Sequence, residues 1–145
     1  MFKKALSLVV SLMLMVTSLS FAAISVSAAD TTYVVAGAEE LCGVLWKGSP
    51  EEAPANVMTD NGDGTYTKVF TNVQPASGLT LKVVENGADG SQNWIGDATG
   101  NNITFNVTAA SDVTVKFDSS TKEITVTGDG VQFVTNLDIK SINAV

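Results

Sequence analysis

Histidine and arginine are absent from the 145-residue chain, and cysteine occurs once, at Cys42. Without histidine there is no side chain whose ordinary pKa lies near neutrality, so imidazole acid–base chemistry and histidine metal ligation are excluded. Without arginine the bidentate fork that grips phosphates is missing. A single cysteine rules out an internal disulfide, so the domain is not a small stapled scaffold. Leu41 and Val44 flank that cysteine, which points to a buried, inert thiol. Positive charge is also scarce: 8 basic residues face 15 acidic ones, for a net charge of −7. Such a balance suits neither a nucleic-acid backbone nor an anionic membrane surface.

Only one long apolar run is present, from Ala5 to about Val16. Lys3 and Lys4 precede it, and the small-residue stretch Val26-Ser27-Ala28-Ala29-Asp30 follows. This is the pattern of a secretory signal peptide over residues 1–29, cleaved after Ala28 or Ala29. The run is too short for an ordinary membrane span, and no cysteine stands at the cleavage point for a lipid anchor. Without Lys3 and Lys4 the balance becomes 6 basic against 15 acidic residues, or −9. A soluble, extracellular protein with a neutral or cationic partner is expected.

What remains is patterned for β-structure. The chain is organised around Met58 to Phe70. Asp60-Asn61-Gly62-Asp63-Gly64 supplies residues that tolerate positive φ or bond to their own backbone, so it predicts a hairpin turn. Tyr66, Lys68 and Phe70 then alternate with Thr65, Thr67 and Val69, which predicts a strand with one aromatic face. Further strands are expected at Thr31–Ala36, Leu79–Glu85, Asn102–Val107, Asp112–Asp118 and Glu123–Thr127, with a short one near Met58 and another at Val131–Val134. The inward sets are Leu79, Leu81 and Val83; Ile103, Phe105 and Val107; Val113, Val115 and Phe117; and Ile124 with Val126. Glu39 to Trp46 reads as a helical turn or irregular crossing, and Lys47 to Asn56 as a surface loop. Asn86 to Gly100 is the longest stretch without a strand signal. Seven or eight short strands separated by turn residues predict an all-β, immunoglobulin-like antiparallel sandwich over 30–130, with 131–145 as a terminal strand or tail.

Chemistry must then come from carboxylates or aromatics. Two carboxylates can hydrolyse a glycosidic bond, but only across a cleft and with one pKa raised. The acids here fall in turns and on outward strand positions, so no enzymatic activity is expected. Asp60, Asn61 and Asp63 resemble the start of a calcium loop but lack the later ligands, including the bidentate glutamate. A turn accounts for all three, with Asp89 and Asp97 the next carboxylates in line, and neither metal nor cofactor is expected. Most aromatics occupy positions a core requires. Trp46 and Trp94 do not, since each lies beside glycine and polar residues. A flat indole fits the C–H face of a neutral sugar, and amides or charged groups at its edge fit the hydroxyls. Gln92 and Asn93 beside Trp94, Glu85 and Asn86 upstream of it, and Lys47 beside Trp46 supply that edge chemistry.

Taken in order, Tyr33-Val34-Val35-Ala36-Gly37, Leu41-Cys42-Gly43 with Trp46, Met58 to Tyr66, Leu81-Lys82-Val83-Val84-Glu85-Asn86-Gly87 and Val113 to Val126 resemble the X25 β-sandwich modules of amylopullulanases. Similar modules occur in starch-binding surface proteins of gut bacteria. The resemblance runs from about Tyr33 to Thr127. It implies α-glucan binding, with Trp46 at the family's aromatic after Leu-Cys-Gly, Lys82 at its strand lysine and Trp94 at its second loop aromatic. The first loop aromatic is replaced by Ala88-Asp89-Gly90, and Lys47 stands where an acidic residue is usual. The alternatives are an extracellular structural or protein-interaction domain, a partner protein being met through the C-terminal tail, and an inhibitor of a glucan-degrading enzyme.

Overall fold

The computed structural model describes residues 30–134. The leader expected over 1–29 and residues 135–145 of the expected tail lie outside the described residues. Among the described residues nine strands form two antiparallel sheets. They are β1 (Thr32–Gly37), β2 (Thr59–Asp60), β3 (Thr65–Val73), β4 (Ala76–Asn86), β5 (Gln92–Ile95), β6 (Ile103–Val107), β7 (Ser111–Asp118), β8 (Ile124–Thr127) and β9 (Val131–Phe133). One sheet runs β1-β4-β6-β9, with β5 also paired to β4; the other runs β2-β3-β7-β8. The only helical pieces among the described residues are a single α-turn, α1 (Glu39–Cys42), and a 3₁₀ turn at Pro54–Asn56. The two-sheet sandwich expected from the alternation is present. Among the described residues no helix is long and apolar enough to cross a membrane.

Alternation decides which side chains enter the space between the sheets. Val35, Leu79, Leu81, Val83, Phe105 and Val107 come from one sheet and Phe70, Val113, Val115, Phe117 and Val126 from the other, in one buried cluster. Phe105 and Phe117 are the largest fully buried side chains. Truncating either to alanine would cost roughly 3–5 kcal/mol in a core of this kind.

The hairpin at Asp60–Gly64 joins β2 to β3, with Gly62 and Gly64 at φ 80° and 83°. Its acids act as turn wedges. The Gly62 N–H donates to Asp60 Oδ1 at 2.7 Å, and the Thr65 N–H and hydroxyl donate to Asp63 Oδ1 at 3.0 and 2.6 Å. The device recurs at Asp89 with Ser91, Asp97 with Thr99, and Asp118 with Ser120. Among the described residues no three histidine, cysteine, aspartate or glutamate side chains are grouped to hold a metal ion.

Two strands carry bulges that a straight alternation does not foresee. The β3–β7 register shifts between Phe70 and Val73, and the β4–β6 register between Ala76 and Leu79. At each, a side chain on the neighbouring strand replaces the lost ladder partner: the Asn72 N–H donates to Asp112 Oδ1 at 2.8 Å, and the Gly78 N–H to Asn106 Oδ1 at 2.7 Å. β4 consequently begins at Ala76, three residues ahead of the strand expected from Leu79.

Two measurements test this packing. Hydrogen bonds from neighbouring hydroxyls, together with backbone N–H groups, hold Asp63, Asp89, Asp97 and Asp118 below the ordinary aspartate pKa. A depressed folded-state pKa stabilises above the unfolded value and is lost as pH falls, so the thermal midpoint should decline below about pH 4. Tyr33 shows the opposite case: burial, then its bond to Glu85, pushes the phenol up to about 12 from 10.0. Its contribution is complete below the unfolded pKa and is lost as pH rises through the folded one, so the midpoint should decline again above about pH 10. Separately, burial pushes the Cys42 thiol up to about 12 against the opposing charge of Lys68. Labelling by a thiol reagent at neutral pH should therefore proceed only as fast as the domain opens, and prompt labelling of native protein would contradict this placement.

Candidate functional site

Val83 and Val84 are adjacent on β4 and point to opposite faces, yet both are wholly buried. Sheet β2-β3-β7-β8 covers Val83. Val84 lies on the outer face with Val34 and Ala36, also wholly buried, and needs a different cover. The crossing from Val44 to Val57 supplies it. That crossing is fastened along β1 by a parallel bridge between Gly37 and Leu45, by the Trp46 N–H donating to the Gly37 carbonyl at 2.9 Å, and by an antiparallel bridge between Val34 and Val57.

Trp46 follows the bridge with φ at 49°, a left-handed conformation that costs a bulky residue of order 1–3 kcal/mol. Trp94 reaches the same place from the other side. It sits on β5 directly opposite Val84 and therefore shares the outer face. The two rings have centroids 6.4 Å apart and planes inclined at 40°. Trp46 is half-buried, whereas Trp94 is exposed at 39%. Gly48 makes the arrangement possible. A Cβ there would stand 2.8 Å from Trp94 Cζ2 and 3.0 Å from Val84 Cγ2, so the indole rests on bare backbone. One face of the Trp94 ring thus seals Val84 and the rest stays open.

β5 lies within the stretch expected to be loop. Its residues, Gln92-Asn93-Trp94-Ile95, have little of the β-branched character that marks a strand. The free edge of β4 recruits it: Val83 to Asn86 pair with Ile95 to Gln92 after β4 has paired with β6 over Ala76 to Leu81. β5 and β6 therefore share one edge of β4, separated by a pinched excursion at 97–101. The Asp97 N–H donates to the Asn101 carbonyl at 2.8 Å across its neck.

The same parity sorts the expected sugar contacts. Lys82, Asn86 and Gln92 lie on the outer face with the tryptophans. Lys82 Nζ donates to the Gly100 carbonyl at 2.9 Å, which places the ammonium beside the excursion. Glu85 and Asn93 lie on the other face, away from the indoles. There Glu85 Oε1 accepts from Lys122 Nζ and from the Tyr33 hydroxyl, both at 3.0 Å, while its Oε2 accepts from Asn93 Nδ2 at 3.2 Å. Burial raises the Glu85 pKa, but these hydrogen bonds outweigh it and hold the carboxyl below its ordinary range. An ionised glutamate tying the two sheets together is a structural clasp, not an edge group for the platform. Tyr33 and Tyr66, centroids 4.4 Å apart, pack beside it. The signal that separates Glu85 from Asn86 is the odd-or-even position along β4.

Gly48→Ala tests the seat under Trp94. The added methyl cannot coexist with the indole, so Trp94 should swing outward and its fluorescence emission move to longer wavelength while the sandwich persists. An unchanged spectrum would show that the ring does not rest on Gly48. No family model matches this chain, and no curated protein does.

Proposed function

We propose that the protein is a secreted, non-catalytic module that binds α-glucan, such as starch, pullulan or maltooligosaccharides, through Trp46 and Trp94. The observation that carries this reading is the meeting of the two indoles on one outer face, with Trp94 left open to solvent. Neither ring belongs to the core between the sheets. Large aromatics held half-open on a rigid sheet favour a ligand with an apolar face.

The chemistry around the rings agrees. Lys82 spends one N–H on Gly100 and retains two for hydroxyls; Gln92 spends its Nε2 on Asn86 and retains an unengaged carbonyl. An α-linked glucan coils, so successive sugar rings present themselves at an angle, and two indoles inclined at 40° suit that better than the flat ribbon of a β-linked glucan. The resemblance to X25 modules points the same way. The signal-peptide pattern at the start of the chain supports export.

A second reading is an extracellular structural or protein-interaction domain. It is favoured by β9, an edge strand whose Phe133 and the following Val134 are 52% and 57% exposed.

Retention on insoluble starch separates the two. Wild type should be held by starch and not by cellulose, and Trp94→Ala should weaken retention at least about tenfold, as expected for a central aromatic anchor. Wild type that passes through starch unretained removes the glucan reading and leaves the interaction domain.

A further inference from the structure

The two indoles come from segments with no backbone ladder between them. Trp94 is placed by the pairing of β5 with β4. Trp46 rides on the crossing, whose start is tied to Gly37 and whose far end is bridged to Val34, so the stretch just past Trp46 needs a tie of its own. Asn86 provides it. Its Nδ2 donates to the Gly48 carbonyl at 2.9 Å and, more weakly, to the Val84 carbonyl at 3.3 Å. Its Oδ1 accepts from Gln92 Nε2 at 2.9 Å. One carboxamide at the end of β4 thus grips the crossing on one side and β5 on the other. The orientation of the amide follows from its neighbours, because turning it over would set its oxygen against two carbonyl oxygens. With both N–H groups and the carbonyl engaged, Asn86 has little left to offer a sugar.

We infer that Asn86 is the positioning residue of the tryptophan pair: it fixes Gly48, and with it the spacing and tilt of Trp46 against Trp94, without itself contacting the ligand. This rests on reading the pair as the binding surface, but the geometric role has its own observable. Two indoles held this close couple their electronic transitions and give a paired positive and negative band in circular dichroism. The amplitude of that couplet depends on their separation and angle, and Trp94→Ala, which leaves one indole, defines its absence.

The experiment compares wild type, Asn86→Ala and Asn86→Asp by circular dichroism, thermal melting and starch retention. Asn86→Asp keeps the size and the acceptor for Gln92 but removes the donor to Gly48, so it serves if the alanine variant fails to fold. Loss of at least half the couplet, in protein that still melts cooperatively, is the expected result. Retention on starch should fall about tenfold with both tryptophans present, the size of effect that one lost net hydrogen bond produces. A couplet of wild-type amplitude in the folded variants overturns the inference, as does a wild-type spectrum without a couplet. If wild type binds no glucan but the variants lose the couplet, the glucan reading falls and the positioning role stands.

Discussion

The molecule depends on covering both faces of β4. A strand with Val83 and Val84 side by side, both excluded from water, cannot sit in a sheet with one wet face. One side is satisfied by packing sheet on sheet. The other requires a chain segment that lies flat across Val34, Ala36 and Val84, and the route from Leu45 to Val57 is shaped by that requirement. Its glycine passes beneath an indole, its tryptophan adopts a left-handed backbone, and its far end runs along the free edge of β1. The aromatic patch is thus the solvent side of a cover that the apolar strand beneath it demands.

Most strands could be read from alternation because one of their faces is apolar and the other is not. β7 is the clearest case, with Val113, Val115 and Phe117 buried and Thr114 and Lys116 between them facing outward. β5 could not be read that way, since its existence depends on an edge of β4 left free by the excursion at 97–101, a fact of tertiary pairing absent from its own four residues. The tryptophans stand out in the sequence for what surrounds them, but their contact is made by two remote segments converging on Val84. The grouping of Glu85 with Asn86 failed for a simpler reason. Neighbours along a strand face opposite ways, and only the register of β4 against β1 and β5 tells which way each faces.

The acidity of the chain has a local cause as well as a global effect. Asp63, Asp89, Asp97 and Asp118 each accept from the backbone and hydroxyl of the residue two places on, so an aspartate followed at that spacing by serine or threonine closes four separate reversals. Carboxylates used in this way are spent on geometry and cannot readily serve as ligands or catalysts. Among the described residues the Glu85 clasp is the one place where an acid crosses between sheets, and it depends on Lys122, itself a turn residue with a left-handed backbone.

The neck of the excursion between β5 and β6 brings the chain back almost onto itself: a Cβ on Gly96 would collide with the Asn101 carbonyl. Because β5 and β6 each pair with β4 on their own, the excursion between those two points takes no part in the ladder itself. The position is thus a natural graft point a few residues from the paired indoles, where new sequence could be accommodated with the barest demand on the scaffold.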